Sequence, residues 1–248
     1  MIKKRFLVLF FICTSIFAQK NIDINELNWL PNSHLFWVNS DGNILVYDID
    51  KLDQKTPILT NKQLKEAGFN GEVENLVWNQ NKTKVLVYTN SKKVWRANTK
   101  GDYWFFDLAS GEGRKLGNNL EESSLMFAKF SNDNENVAYV SKHNIYLENL
   151  GSGKITPLTT DGTDKIINGT FDWVYEEELA ARDGFRWSPD GKSIAYWRVD
   201  ATETKFHLMI NNTDALYPFV VPVEYPKAGE KPSSVKIGVV DIAALKTN

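Results

Sequence analysis

The sequence predicts an all-β chain: a β-propeller of about four blades, with a short helical insertion that carries a Glu-Glu motif. Two observations point there. An aromatic residue is followed seven positions later by the start of a β-rich strand four times over: Trp29 and Phe36, Trp78 and Val85, Phe130 and Val137, Trp187 and Ile194. These aromatics recur about every 50 residues, a period that holds roughly four strands per unit. A stack of β-sandwich domains, the competing all-β architecture, predicts no such register.

The elements follow in order. Between each aromatic and its strand lie turn formers, such as Asn79-Gln-Asn81, Ser131-Asn-Asp-Asn134 and Ser188-Pro-Asp-Gly191. These residues favour a tight reversal between two strands. A further alternating strand follows each hairpin, at Ile44–Asp48, Tyr103–Asp107, Ile145–Glu148 and Phe206–Ile210. Two of these lead through Gly-rich turns into basic strand starts, at Gly111–Lys115 and Gly151–Lys154. Gln63–Gly68 reads as a short helical turn connecting blades. Tyr217–Gly229 carries Pro218, Pro222 and Pro226. Proline cannot donate to a central ladder, so this stretch reads as extended edge or loop. Val235–Asp241 begins another strand. An unclosed arc of blades leaves a long sheet edge unpaired. The chain is therefore expected to be the front portion of a longer polypeptide, and poorly soluble by itself.

The 248 residues carry a formal net charge of -2, which offers nucleic acid no basic face. Lys3-Lys4-Arg5, the apolar run Phe6–Phe17 and the small Ala18 form a secretory signal peptide over residues 1–18, cut near Ala18. The run is short for an uncleaved anchor. Cys13, the single cysteine, lies inside it, and Ile12 before it is not the small residue that precedes a lipid-modified cysteine. The mature chain then has neither disulfides nor a Cys-based metal site. That suits an exported protein, periplasmic or at the cell surface of a bacterium.

No complete catalytic machine is legible. The nearest approach to a Gly-x-Ser-x-Gly elbow, Gly191-Lys-Ser-Ile-Ala195, lacks the second glycine. His34, His143 and His207 are isolated, and no phosphate-binding glycine loop occurs. No catalytic residue and no cofactor are expected in this chain. What stands out is Asp172-Trp-Val-Tyr-Glu-Glu-Glu178 with Leu179-Ala-Ala-Arg182 after it, read as an acidic helix start leading into one or two further turns. Three adjacent carboxylates repel unless a cation or a helix N-terminus offsets them. A primary ammonium has three donors and no acceptor. Two neighbouring carboxylates can converge on it, each charge-assisted bond being worth roughly 1.5–3 kcal/mol. Such a site recognises a free peptide N-terminus and blocks chain upstream of it. Two other readings stand at this point. One is a solvated helical turn with a Glu178–Arg182 pair. The other is a calcium site aided by Asp164 or Asp172, which lacks the alternating ligand spacing of known loops. Trp95-Arg96 offers five fixed donors to a carbonyl or carboxylate, or else a surface arginine stacked on Trp95.

Taken together, Asp172–Glu178, Trp187-Ser-Pro-Asp-Gly-Lys-Ser-Ile-Ala-Tyr196, Thr202-Glu203 and Tyr225-Pro-Lys-Ala-Gly229 resemble, in this order, the dipeptidyl peptidase IV family of serine exopeptidases. Trp95-Arg96 followed by Tyr103–Leu108 is similar to that family's arginine segment. The likeness runs from about Trp29 to the end and is densest between residues 170 and 241. It implies an eight-bladed propeller, of which residues 19–248 would be a partial N-terminal domain, capping a later α/β-hydrolase domain that holds the Ser, Asp and His triad. The chain alone would then be inactive. The resemblance also implies that Glu177 and Glu178 hold the substrate ammonium and that Arg96 binds the carbonyl between the first two substrate residues. Glu176 is left to structure or solvent. The partners implied are peptides with a free N-terminus, and a second copy in a homodimer of the full-length protein. The implied reaction is acyl transfer to a serine, releasing dipeptides after proline or alanine. A non-catalytic propeller that binds partner proteins, and a tripeptidyl or acylaminoacyl relative, are the alternatives.

Overall fold

The computed structural model describes residues 27–247, so the signal peptide expected at 1–18, with Cys13, lies outside the described residues. Four antiparallel meanders follow one another. The first is β1 (Asn28–Trp29), β2 (Leu35–Ser40), β3 (Asn43–Asp48) and β4 (Lys51–Leu59), paired in that order. Helix α1 (Asn61–Glu66) follows, started by a capping box between Thr60 and Gln63. The second meander is β5 (Asn75–Trp78), β6 (Lys84–Val94), β7 (Ala97–Asp107) and β8 (Gly113–Lys115). The third is β9 (Leu125–Phe130), β10 (Asn136–Ser141), β11 (Asn144–Asn149) and β12 (Ile155–Pro157). After β13 (Ile166–Asn168) and helix α2 (Trp173–Leu179) comes the fourth. It comprises β14 (Phe185–Trp187), β15 (Ser193–Asp200), β18 (Ser234–Asp241) and β19 (Lys246–Thr247), with a separate ribbon of β16 (Phe206–Asn211) and β17 (Phe219–Glu224) inserted after β15. This is a partial β-propeller, as the repeat predicts.

The seven-residue spacing has a direct cause. Trp29 lies opposite Phe36, Trp78 opposite Val85, Phe130 opposite Val137 and Trp187 opposite Ile194. Each aromatic is thus the last residue of a blade's first strand, and its partner sits directly across the hairpin. The intervening polar residues close the turn: the Asn79 carboxamide oxygen accepts from the amides of Thr83 and Lys84, and Ser188 Oγ accepts from the Ser193 amide.

Strand alternation divides each middle strand between two neighbours. On β6, Val85 and Val87 pack toward the first blade with Ile44, Leu59 and Phe106. Leu86 and Tyr88 pack the other way, with Phe105, Phe130 and Tyr139. On β10, Val137 and Tyr139 face the second blade, while Ala138 and Val140 face Ile194, Tyr196 and Val240 of the fourth. Each fully buried aliphatic or aromatic side chain contributes about 1.5–3 kcal/mol, so blade-to-blade contact carries most of the stability. A buried carboxylate crosses one of these interfaces. Glu148 accepts from the Tyr139 hydroxyl at 2.9 Å and the Gly117 amide at 2.9 Å, and it pairs with Arg114.

One element departs from the expectation. The sequence pattern makes Phe206–Ile210 the fourth unit's third strand, but β18 takes that place. It pairs with β15 along the strand's whole length, from Ser193 opposite Asp241 to Asp200 opposite Ser234. β16 pairs with β17 alone, so Pro222, opposite Leu208, interrupts no inner ladder. The ribbon projects with Leu208, Met209, Ile210, Tyr217 and Val220 exposed. Among the described residues, no helix is long and apolar enough to cross a membrane.

The β6–β7 hairpin is longer than its blade requires. Beyond irregularities between Thr89 and Lys93 it extends past the blade to a two-residue turn, Trp95-Arg96, with Val94 opposite Ala97. On the way β7 also pairs with β9, Lys100 opposite Met126 and Gly101 opposite Leu125. Gly101 is required by the close approach of β6: a Cβ there would lie 2.6 Å from the Tyr88 ring and 2.7 Å from the Thr89 carbonyl oxygen.

Candidate functional site

Helix α2 is placed by its first residue and its aromatics. Asp172 is the N-cap: Oδ1 accepts the Tyr175 amide at 3.2 Å, and Oδ2 accepts the Ser233 hydroxyl at 2.7 Å. The second bond ties the helix to the start of β18. Trp173 packs edge-on against Tyr225 at the base of the ribbon, with ring centroids 4.9 Å apart. Tyr175 meets Phe171, which in turn meets Trp197 on β15, both at 5.7 Å. Aromatic contacts of this kind fix orientation as well as burying area.

The helix ends sooner than the sequence suggests. Ala180 adopts φ 53°, and the Ala181 amide bonds back to the Tyr175 carbonyl at 3.0 Å. Leu179–Arg182 therefore does not carry further turns. The Asp172 cap starts the helix at Trp173, three residues ahead of Glu176, so Glu177 and Glu178 occupy its last turn instead of its start. There the helix dipole does not offset their repulsion, and Arg96, paired with Glu177, does so instead.

Successive residues on a helix point about 100° apart, and the three carboxylates accordingly meet three environments. Glu177, its side chain 7% exposed, forms an ion pair through Oε2 with Nε of Arg96, whose side chain is 81% exposed. Its other oxygen, Oε1, is buried with no hydrogen-bond partner among the described residues. Glu178 is exposed and enters no ion pair among them. Glu176 is 1% exposed, with Oε2 4.0 Å from Nε of Arg182. Burial pushes its carboxyl up to about 7; Arg182 opposes that shift, while Glu177 and Asp172 add to it.

Arg96 reaches Glu177 from the tip of the β6–β7 hairpin, where Trp95 holds φ 52°, an uncommon conformation for a bulky residue. The structure therefore joins two features that lie far apart in the sequence. Arg96 enters no cation–π contact with Trp95 among the described residues. The Glu178–Arg182 pair of the alternative reading does not form among the described residues; Arg182 Nε instead lies 4.0 Å from Glu176 Oε2. Both Asp172 oxygens are engaged by the protein, which argues against a calcium ligand there. Among the described residues no group of three or more His, Cys, Asp or Glu side chains is arranged to hold a metal ion. His34 and His207 are exposed, and His143 sits in the β10–β11 turn.

Two hollows flank α2. A cavity of about 760 Å³ lies between the hairpin tip (Val94, Trp95), α2 (Trp173, Glu176) and the base of the ribbon (Phe206, Glu224). Arg96, Glu177 and Glu178 are not among its walls. A cleft of about 500 Å³ is lined by Tyr175, Leu179, Ala181, Arg182 and Trp197, beside the end of the helix. Sequence reasoning leaves Glu176 without a role, and its partnership with Arg182 has no signature beyond their six-residue separation across the helix end.

Residues 79–248 match the family described as the dipeptidyl peptidase IV (DPP IV) N-terminal region. Human prolyl endopeptidase FAP is 32% identical over 216 residues, covering 86% of this chain and 28% of that protein. Dipeptidyl aminopeptidase B of Saccharomyces cerevisiae is 29% identical over 217 residues, covering 83% of this chain and 26% of that protein. The crystal structure of Porphyromonas gingivalis dipeptidyl peptidase 4 superposes with a TM-score of 0.79 at 24% identity, over 90% of this chain and 32% of that one. The last likeness is one of fold. In each case the chain spans under a third of the relative's length.

Proposed function

Since the chain belongs to the dipeptidyl peptidase IV family, as part of its N-terminal region, we propose that it is the substrate-registering propeller portion of a serine peptidase that releases X-Pro and X-Ala dipeptides. The whole propeller has eight blades in this reading, and the nucleophile belongs to a hydrolase domain later in the same polypeptide. The single observation that carries the proposal is the Glu177–Arg96 junction. A buried, unpartnered carboxylate oxygen stands beside an exposed guanidinium, with a second free carboxylate, Glu178, on the same helical turn.

Glu177 and Glu178 accept the substrate's N-terminal ammonium, Glu177 by a side-chain rotation that exposes its buried Oε1. Arg96, held by Glu177 at one nitrogen, presents the rest of its fork to the carbonyl between the first two substrate residues. In this reading a residue preceding the ammonium is excluded, so the chain enters a fixed distance and the second peptide bond is the one presented to the nucleophile. That registration is an entropic contribution to catalysis. The same features disfavour the protein-binding propeller: a buried orphan oxygen costs stability unless a ligand uses it.

The test is kinetic. Glu177→Ala or Glu178→Ala in the full-length protein should lower kcat/KM for Gly-Pro substrates at least about tenfold. Wild-type turnover from both variants removes the clamp role. The exported, bacterial location expected from residues 1–18 is tested by the N-terminus of the mature protein, which should begin just after Ala18. For the homodimer, we propose the projecting β16–β17 ribbon as the contact, on account of its exposed apolar residues.

A further inference from the structure

Glu176 has no part in the clamp, and its surroundings call for an account. A buried carboxylate is ordinarily hydrogen-bonded, yet Oε2 of Glu176 has no such partner among the described residues, and neither has the buried Nε of Arg182 facing it at 4.0 Å. That separation lies just beyond hydrogen-bond range. The two complementary groups thus stand at the outer limit of an ion pair with no hydrogen bond between them. The charges acting on Glu176 are those of Arg182 in favour of the anion, and of Glu177 and Asp172 against it. Across the cavity the charges offset one another. Lys142 pairs with Glu121 at 3.0 Å, Lys165 pairs with Glu224, and Asp164 and Lys100 act on His143 with opposite sign.

We propose that Glu176 is a proton-linked positioning residue: when a cationic N-terminus docks on Glu177 and Glu178, the Glu176 carboxyl releases its proton and tightens its loose contact with Arg182 into a hydrogen-bonded ion pair. This rests on the clamp reading of Glu177 and Glu178. Burial is the main cause that holds Glu176 neutral, and the incoming ammonium adds to Arg96 in offsetting Glu177, one of the two carboxylates that reinforce it. The O–H bond of the carboxyl breaks, the proton passes to solvent, and the carboxylate keeps the electron pair and takes Arg182 as its partner. Arg182 lies just past the left-handed Ala180, so closing the pair draws the loop against the helix and steadies the last turn, which carries Glu178. Glu176 Oε2 and Arg182 Nε thereby gain a hydrogen-bond partner only in the bound state. Because the proton is a product of binding, affinity for an N-terminal ammonium rises with pH through the range in which Glu176 titrates.

The experiment uses the full-length protein as wild type, Glu176→Gln and Arg182→Gln, with the dipeptide Gly-Pro as probe. Calorimetry in two buffers of different protonation heat, at about pH 6.5, counts protons released while the probe's amine stays charged. Wild type should release a substantial fraction of a proton and E176Q none. KM for a Gly-Pro substrate should fall about threefold to tenfold more steeply between about pH 6 and pH 7.5 in wild type than in E176Q. R182Q should move the inflection to higher pH, since the favourable charge is gone. Equal proton release from wild type and E176Q overturns the proposal. If E176Q does not fold, an R182Q inflection at the wild-type position overturns it. Gly-Pro binding that survives Glu177→Ala and Glu178→Ala sinks the clamp reading instead, whereas loss of binding in those variants with no proton release in wild type sinks only the linkage.

Discussion

Removing Glu148 should weaken the seam between the second and third blades. Its side chain is 1% exposed and joins three elements, taking the Tyr139 hydroxyl and the Gly117 amide on Oε2 and Arg114 on Oε1. In Glu148→Ala the first two donors stay buried and lose their acceptor. Each stranded donor costs about 1–3 kcal/mol. Arg114 suffers less: it is 32% exposed and keeps contacts with the carbonyls of Asn149 at 3.2 Å and Leu150 at 3.4 Å. The sum agrees with the usual loss of about 3–5 kcal/mol when one member of a buried pair is deleted. For a unit of this size each kcal/mol lowers Tm by about 2–4 °C. Chemical denaturation of the propeller, with the slope against denaturant unchanged, is the assay. Glu148→Gln should lose less, since it retains an acceptor oxygen. A change below about 1 kcal/mol for Glu148→Ala would refute the reasoning that this carboxylate staples the blades.

Further expectations concern α2 and the ribbon. Glu176 is a carboxyl whose folded pKa is raised, so the native state holds more protons than the unfolded state between the ordinary glutamate range and about 7. Stability should therefore fall as pH rises through that window, and E176Q, compared by melting curves at several pH values, should remove that fall. Gly101→Val should distort the β6–β7 hairpin, because its side chain would strike the Tyr88 ring and the Thr89 carbonyl on β6; a variant of unchanged Tm would contradict that. Leu208→Asp with Ile210→Asp, both on the exposed ribbon, should leave the full-length protein monomeric in sedimentation without lowering the propeller's Tm.

Much of the fold is legible because propeller hairpins impose a local rule. The seven-residue offset from Trp29, Trp78, Phe130 and Trp187 is the cross-strand pairing itself, so it survives in the sequence whatever the tertiary context. The third strand of the last unit is not legible. Phe206–Ile210 alternates well enough to sit in a blade, and only the long-range competition for the edge of β15, won by Ser234–Asp241, excludes it. A local cue exists in the nearby prolines, Pro218, Pro222 and Pro226. The acidic motif is legible as a helix, but its polarity is not. That depends on Asp172 serving as cap, which its buried bond to Ser233 makes firm. The meeting of Arg96 with Glu177 depends on how far the β6–β7 hairpin overshoots its blade. The resemblance names both residues without pairing them, and strand propensity does not encode that length.

The central claim is that this propeller counts a substrate's first residues from its charged N-terminus. The most direct measurement compares kcat/KM for a Gly-Pro substrate with a free amine and for its N-acetylated form, in the full-length protein. In the proposed clamp, acetylation removes the charge that Glu177 and Glu178 would hold and adds bulk beside it. The account predicts that the acetylated substrate is cleaved at least about a hundredfold less well, as the loss of two charge-assisted bonds requires. Comparable cleavage of both forms would mark an endopeptidase and contradict the clamp.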